Sequence, residues 1–163
     1  MKSQGEIEAA VCEGVSKFQQ EFIGRGPKDI HCHLLGSLLV VRLQGVLTPA
    51  ERQLLVPRGS TAAAEGNGHS HGNGHGNGKV GGNGDAEAAA PAAAHDDGNG
   101  RALLKQVRTH MLANGRDHLG RIVEDAVGVR LVSIHHDIST VTGEEMLVFS
   151  LSEAPECRPK KKS

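Results

Sequence analysis

The chain has no tryptophan and no tyrosine, and only three phenylalanines among its 163 residues. That scarcity argues against a site that stacks bases or sugars on aromatic rings. It also leaves Leu, Val, Ile and Ala to build the core. Long apolar runs are missing as well. The longest compact one, Leu38–Val41, falls far short of the roughly 20 residues that cross a bilayer. The opening Met1–Glu6 lacks the apolar stretch of a signal peptide. The expected setting is therefore cytoplasmic, with a peripheral position at the inner face of the membrane open to it, and no transmembrane segment. No basic stripe is present to counter a phosphate backbone, so nucleic acid is not an expected partner. The three cysteines, Cys12, Cys32 and Cys157, include no CxxC pair. They read as free thiols, neither a disulfide framework nor a thiolate zinc site. Nucleophile-elbow, phosphate-loop and HExxH patterns are all absent. Ser133 near His135 has no orienting third group. The chain reads as a non-enzyme.

What is present divides by composition. Residues 59–100 contain 12 Gly, 10 Ala, 5 Asn and 4 His in 42 positions. Such a stretch has almost nothing to bury and is expected to be a disordered insert. The remaining 121 residues suffice for one small domain, made of 1–58 and 101–153, with 154–163 as a flexible tail. A chain of that size buries roughly two thirds of its unfolded surface and needs no staples. The flanks carry 17 basic and 14 acidic residues, and the insert one Lys against five acids, which gives the overall −1. The one basic cluster, Lys160–Lys162, suits a frayed tail, or a membrane-surface or polyanion contact.

Periodicity supplies the elements. Ile7, Val11, Val15, Phe18 and Phe22 fall on one face of a helix, which Gly24-Arg25-Gly26-Pro27 stops. Asp29–Leu35 and Leu38–Leu43 read as strands joined by Gly36-Ser37. Thr48, Pro49 and Glu51 start another helix as a capping box with proline at its first position. Beyond the insert, Leu103, Leu104, Val107, Met111, Leu112, Leu119, Ile122, Val123 and Val127 form a helical stripe that Asn114-Gly115 either breaks or joins. Val129–Ile138, with Val132 and Ile134 on one face, and Glu145–Leu151, with Leu147, Phe149 and Leu151 together, form a second hairpin. The fold class is α+β: a two-layer sandwich of four antiparallel strands in two hairpins, with helices on one face, in the order α-β-β-α-α-β-β.

Three stretches carry a resemblance. Gly24-Arg25-Gly26-Pro27, then Val41 to Glu51 (VRLQGVLTPAE), then Asp137-Ile138-Ser139-Thr140 with Thr142-Gly143 resemble the MpsC-like family, small bacterial proteins long labelled a domain of unknown function. Similarity runs through the flanking residues in order. The insert and His31-Cys32-His33 lie outside the family pattern. The resemblance implies a soluble accessory partner of a membrane transporter, in a Na+-translocating, membrane-potential-generating system also linked to inorganic carbon uptake. It implies no catalytic residues and no cofactor.

Candidate binding residues are Arg25, Arg42, Asp137, Ser139 and Thr140. Arg25, between two glycines, can clamp a carboxylate, bicarbonate or phosphate, or simply point to solvent. Arg42 enters through the resemblance. Asp137, Ser139 and Thr140 suit turn chemistry, with their own backbone as partner, and equally an anion or metal contact. Alternation places His135 and Asp137 on one face and His136 on the other. His31 and His33 share a strand face and can offer two imidazoles to an ion, with His135 as third ligand. In the insert, His69, His71 and His75 have spacings at which flexible imidazoles wrap Ni2+ or Zn2+, physiologically or adventitiously. The leading expectation is a transport accessory protein that pairs with a membrane subunit and forms a homodimer. The alternative is a metal-buffering or metal-delivery protein that uses the His-rich insert.

Overall fold

The computed structural model describes residues 1–56 and 97–159. Helix α1 spans Gln4–Ile23 and starts at a capping box, in which the Ser3 hydroxyl accepts from the Glu6 N–H and the Glu6 carboxylate accepts from the Ser3 N–H. It ends at Gly24, whose φ of 82° is left-handed and suits glycine. Ile7, Val11, Val15 and Phe18 are buried along one face. Phe22 is not: it is 41% exposed and stacks on Phe18 at 4.6 Å, while Ile23 takes the buried position.

Strands β1 (Asp29–Leu35) and β2 (Leu38–Gln44) form the first hairpin. Helix α2 covers Pro49–Leu54, with Thr48 and Glu51 making the capping box the sequence indicates. Helix α3 runs from Asp97 to Val127. Asp97–Gly100, assigned by composition to the insert, are thus helical. The rest of the insert, 59–96, lies outside the described residues. Asn114-Gly115 is absorbed into α3 for a packing reason. A Cβ on Gly115 would stand 2.5 Å from the Phe18 ring, so glycine lets the two helices close. Leu103, counted in the apolar stripe, is 44% exposed.

Strands β3 (Leu131–Ile138) and β4 (Glu145–Leu151) complete a four-stranded antiparallel sheet in the order β1-β2-β4-β3. β3 begins two residues later than the alternation indicates, and its register with β4 shifts between Leu131 and Ser133. The shift turns Val132 outward to 59% exposure, so it does not share a face with Ile134. The core lies between one sheet face and α1 with α3. Cys32, Leu34, Leu39, Val41, Leu43, Leu147, Phe149 and Leu151 meet Val11, Val15, Phe18, Leu104, Leu112, Leu119 and Val123 there. Observed order and layering are those of the expected α+β sandwich.

Both sheet edges are blunted. At β1, Glu8 Oε1 accepts from the Leu34 N–H at 2.9 Å, and Gln4 Nε2 donates to the Leu34 carbonyl at 3.1 Å. At β3 the irregularity interrupts the ladder. Beyond β4, residues assigned to a tail return to the N-terminus. The Arg158 N–H donates to the Lys2 carbonyl at 2.9 Å, and Pro155 is buried. Lys160–Lys162 lie outside the described residues.

Candidate functional site

The hairpin directions bring one end of the sheet together. β1 starts there, β2 ends, β3 ends and β4 starts. The loop Gly24–Lys28, the segment Gly45–Glu51 and the turn Ser139–Glu144 therefore crowd one end, although they are spread across the sequence. Gly143, at a φ of 71°, lets the turn press on Leu47: a Cβ would sit 2.8 Å from the leucine methyl.

Beneath this end lies a buried ionic cluster. Arg108 of α3 is fully buried. Its Nε donates to Glu51 Oε1 at 2.6 Å and its Nη2 to Glu51 Oε2 at 2.8 Å, a forked pair. Nη2 also donates to the Val46 carbonyl at 2.9 Å. Nη1 reaches Gln19 Oε1 at 3.3 Å and Glu145 Oε2 at 3.4 Å. Gln19 Nε2 donates to the same Glu145 oxygen at 2.8 Å, and His136 Nε2 lies 2.6 Å from Glu145 Oε1. One guanidinium thus ties α1, α2, α3 and β4 together, and β3 joins through His136. Among the described residues no buried side-chain polar atom lacks a partner. Burial pushes the Glu51 carboxyl up, but its bonds to Arg108 and the Thr48 N–H outweigh that and hold it below the ordinary value. The cluster is a structural lock. Arg108, Gln19 and Glu145 in it are fully buried, and each is bonded to protein.

Over the lock, the surface carries the sequence candidates. Asp137 accepts two bonds from Lys105 Nζ, at 2.7 and 3.0 Å, and this lysine holds its carboxyl below the usual range. Arg42 Nε donates to Glu144 Oε2 at 2.7 Å, which lowers that carboxyl likewise. Lys105, Asp137, Ser139, Thr140 and Glu144 line a depression of about 400 Å³. The Ser139 hydroxyl accepts from the Val141 and Thr142 N–H groups at 3.4 and 3.2 Å, as turn chemistry demands. Arg25 sits half-buried on its loop at the same end but beside the opposite sheet edge, so the structure does not gather it with Asp137.

The histidines do not converge. His31 and His33 lie on β1 and His135 on β3, the two outermost strands. Three strand spacings separate them, about 14 Å, too far to share an ion. His31 instead lies 2.9 Å from Asp29, and His135 Nε2 3.1 Å from the Ser133 hydroxyl. Among the described residues no three His, Cys, Asp or Glu side chains could hold a metal. His69, His71 and His75 lie outside the described residues.

Sequence reasoning missed the lock. Arg108 stands four residues from both Leu104 and Leu112, inside the apolar stripe. Glu145 is in phase with Leu147, Phe149 and Leu151 on the inward face. A charge in phase with a buried face was the available signal.

Fold and site together define a small two-layer α+β module. It is closed inside by an ion cluster, with motif residues displayed at one end. The chain belongs to the family described as Na+-translocating membrane potential-generating system (MpsC), whose model matches residues 3–63 and 93–153. The His-rich tract falls in the unmatched gap. A Bacillus subtilis (strain 168) protein, YbcI, described as uncharacterized, is 25% identical over 150 residues, or 92% of this chain and 89% of its own length. No solved structure matches the chain. Among the described residues no helix is long and apolar enough to cross a membrane.

Proposed function

We propose that this chain is a non-enzymatic accessory component of a Na+-translocating, membrane-potential-generating system, held at the cytoplasmic face by docking on a membrane-embedded subunit. One observation carries the reading. The three segments that resemble the family, far apart in sequence, lie along one end of the sheet, with Arg25 beside the β1 edge and Thr140 and the 83%-exposed Val141 beside the β3 edge. The Arg108 cluster beneath ties α1, α2, α3 and β4 together, which favours a preformed surface at that end. Its polar groups are engaged by protein, which favours scaffold over catalyst.

The test uses chromosomally tagged protein and detergent-solubilised membranes. A multi-span membrane protein should co-purify, and Val141→Asp with Arg25→Glu should release it while leaving thermal unfolding unchanged. Deleting the gene should also lower the Na+-dependent potential reported by a voltage-sensitive dye. Absence of any membrane partner, or a partner retained by the double variant, refutes the docking end.

A further inference from the structure

The sheet face opposite α1 and α3 is uncovered among the described residues. Alternation places His31, His33 and Leu35 of β1 there, with Leu38, Val40 and Arg42 of β2, Met146, Val148 and Ser150 of β4, and His135 and Asp137 of β3. Leu35 is 62% exposed, Leu38 42% and the outward-turned Val132 59%. Register orders the face into rows. Leu35, Leu38, Ser150 and Ser133 form one end row; His33, Val40, Val148 and His135 the next; His31, Arg42, Met146 and Asp137 the third. Apolar groups thus occupy the end away from the docking motifs, and charge the end near them.

This pattern is self-complementary under one operation. A two-fold axis parallel to the strands, between two copies stacked face to face, keeps each row at its own height and inverts the strand order. β1 then lies over β3 of the second copy, and β2 over its β4. Leucines meet Val132 and serines, Val40 meets Val148, and His31 meets Asp137. Rotation about the perpendicular in-plane axis would instead set Leu35 over Asp29. We infer that this face is the contact of a homodimer, two copies stacked with their strands aligned. Edge pairing is hindered at Leu34, where Gln4 and Glu8 take the backbone groups, and at the start of β3, where the register shifts, which favours the face for pairing. Four strands about 4.8 Å apart and seven residues long present a footprint of roughly 450 Å² per copy. That is small beside the 1,200–2,000 Å² total of stable complexes, so the dimer is of the weak, reversible class. The face takes in Arg42, which also belongs to one of the segments at the proposed docking end, while the loop residues Arg25, Thr140 and Val141 lie beyond the strand ends.

Sedimentation equilibrium on the purified full chain should show a concentration-dependent dimer. Leu38→Glu and, separately, Val132→Glu should each raise the dissociation constant about 100-fold with unchanged circular dichroism. In a Cys157→Ser background, His33→Cys plus His135→Cys should give dimers with a short bis-maleimide, and either single variant should not. The two positions are three strands apart within one chain but opposed between copies. A monomer at the highest soluble concentration, a dimer untouched by both glutamates, or cross-linking by a single variant each overturns the inference.

Discussion

Arg108→Met isolates the contribution of the lock. The side chains are similar in length, so the change removes charge and five hydrogen bonds while leaving most of the packing. Glu51 then loses both forked bonds, at 2.6 and 2.8 Å, and keeps only its Thr48 contacts. Glu145 keeps Gln19 and His136. Removing one partner of a buried pair costs about 3–5 kcal/mol, because an uncompensated charge stays behind. For a domain whose total stability is of order 5–15 kcal/mol, that is between about a fifth and the whole of it. In a chain of this size the melting point should drop by roughly 10–20 °C. Urea unfolding must be followed by far-ultraviolet circular dichroism, since the chain has neither Trp nor Tyr to fluoresce. Arg108→Met with Glu51→Gln should recover part of the loss. A single-variant cost under about 1 kcal/mol, the worth of a surface pair, would refute the lock.

Glu51 also sets an acid limit. Its folded carboxyl titrates below the ordinary 4.5, so its contribution is complete above that value and is lost as pH falls through the folded pKa. Glu51→Gln should therefore unfold with a shallower pH dependence below about 4.5 than the parent. Gly115→Ala should destabilise by up to about 2 kcal/mol in denaturant titrations, because a Cβ there would overpack against Phe18 by more than the helix-propensity gain of about 1 kcal/mol; a stabilised variant would show that the helices simply part. Deleting 59–96 should leave the melting temperature equal or slightly higher. A Cβ on Gly100 would meet the Leu54 carbonyl, so the flanking helices touch and a short link closes the gap. A loss of several degrees would mean that the insert supports the fold. Burial raises the Cys32 thiol well above its usual range, so Cys32 should resist alkylation at neutral pH until the chain unfolds.

Element types and order were legible because each obeys a local rule. The stripe from Ile7 to Phe18, the Thr48-Pro49-Glu51 start and the phase of Leu147, Phe149 and Leu151 need only neighbours in sequence. Phe22 and Val132 escaped because their exposure is set at long range, by how α1 meets α3 and by one register shift in β3. The same holds for the site. Turn chemistry at Ser139 was readable from adjacent polar residues, whereas the partnership of Arg108 with Glu51 spans 57 positions. His31, His33 and His135 looked convergent only until the sheet order placed them on opposite edges.

The order β1-β2-β4-β3 also means that the chain is two copies of one design, each a long helix followed by a hairpin, joined where β2 lies against β4. The Gly/Ala/Asn/His-rich stretch of the sequence falls between the halves. Such a molecule is a natural split reporter. Residues 1–58 and 97–159, expressed as separate fragments, each own half of the core and half of the ion cluster: Gln19 and Glu51 in one, Arg108 and Glu145 in the other. The first half leaves Glu51 without Arg108, and the second keeps the Arg108–Glu145 contact but loses the forked pair, so reassembly restores bonds that neither half makes alone. Circular permutation at this junction is expected to be tolerated, because Arg158 already bonds Lys2 and so brings the two ends together.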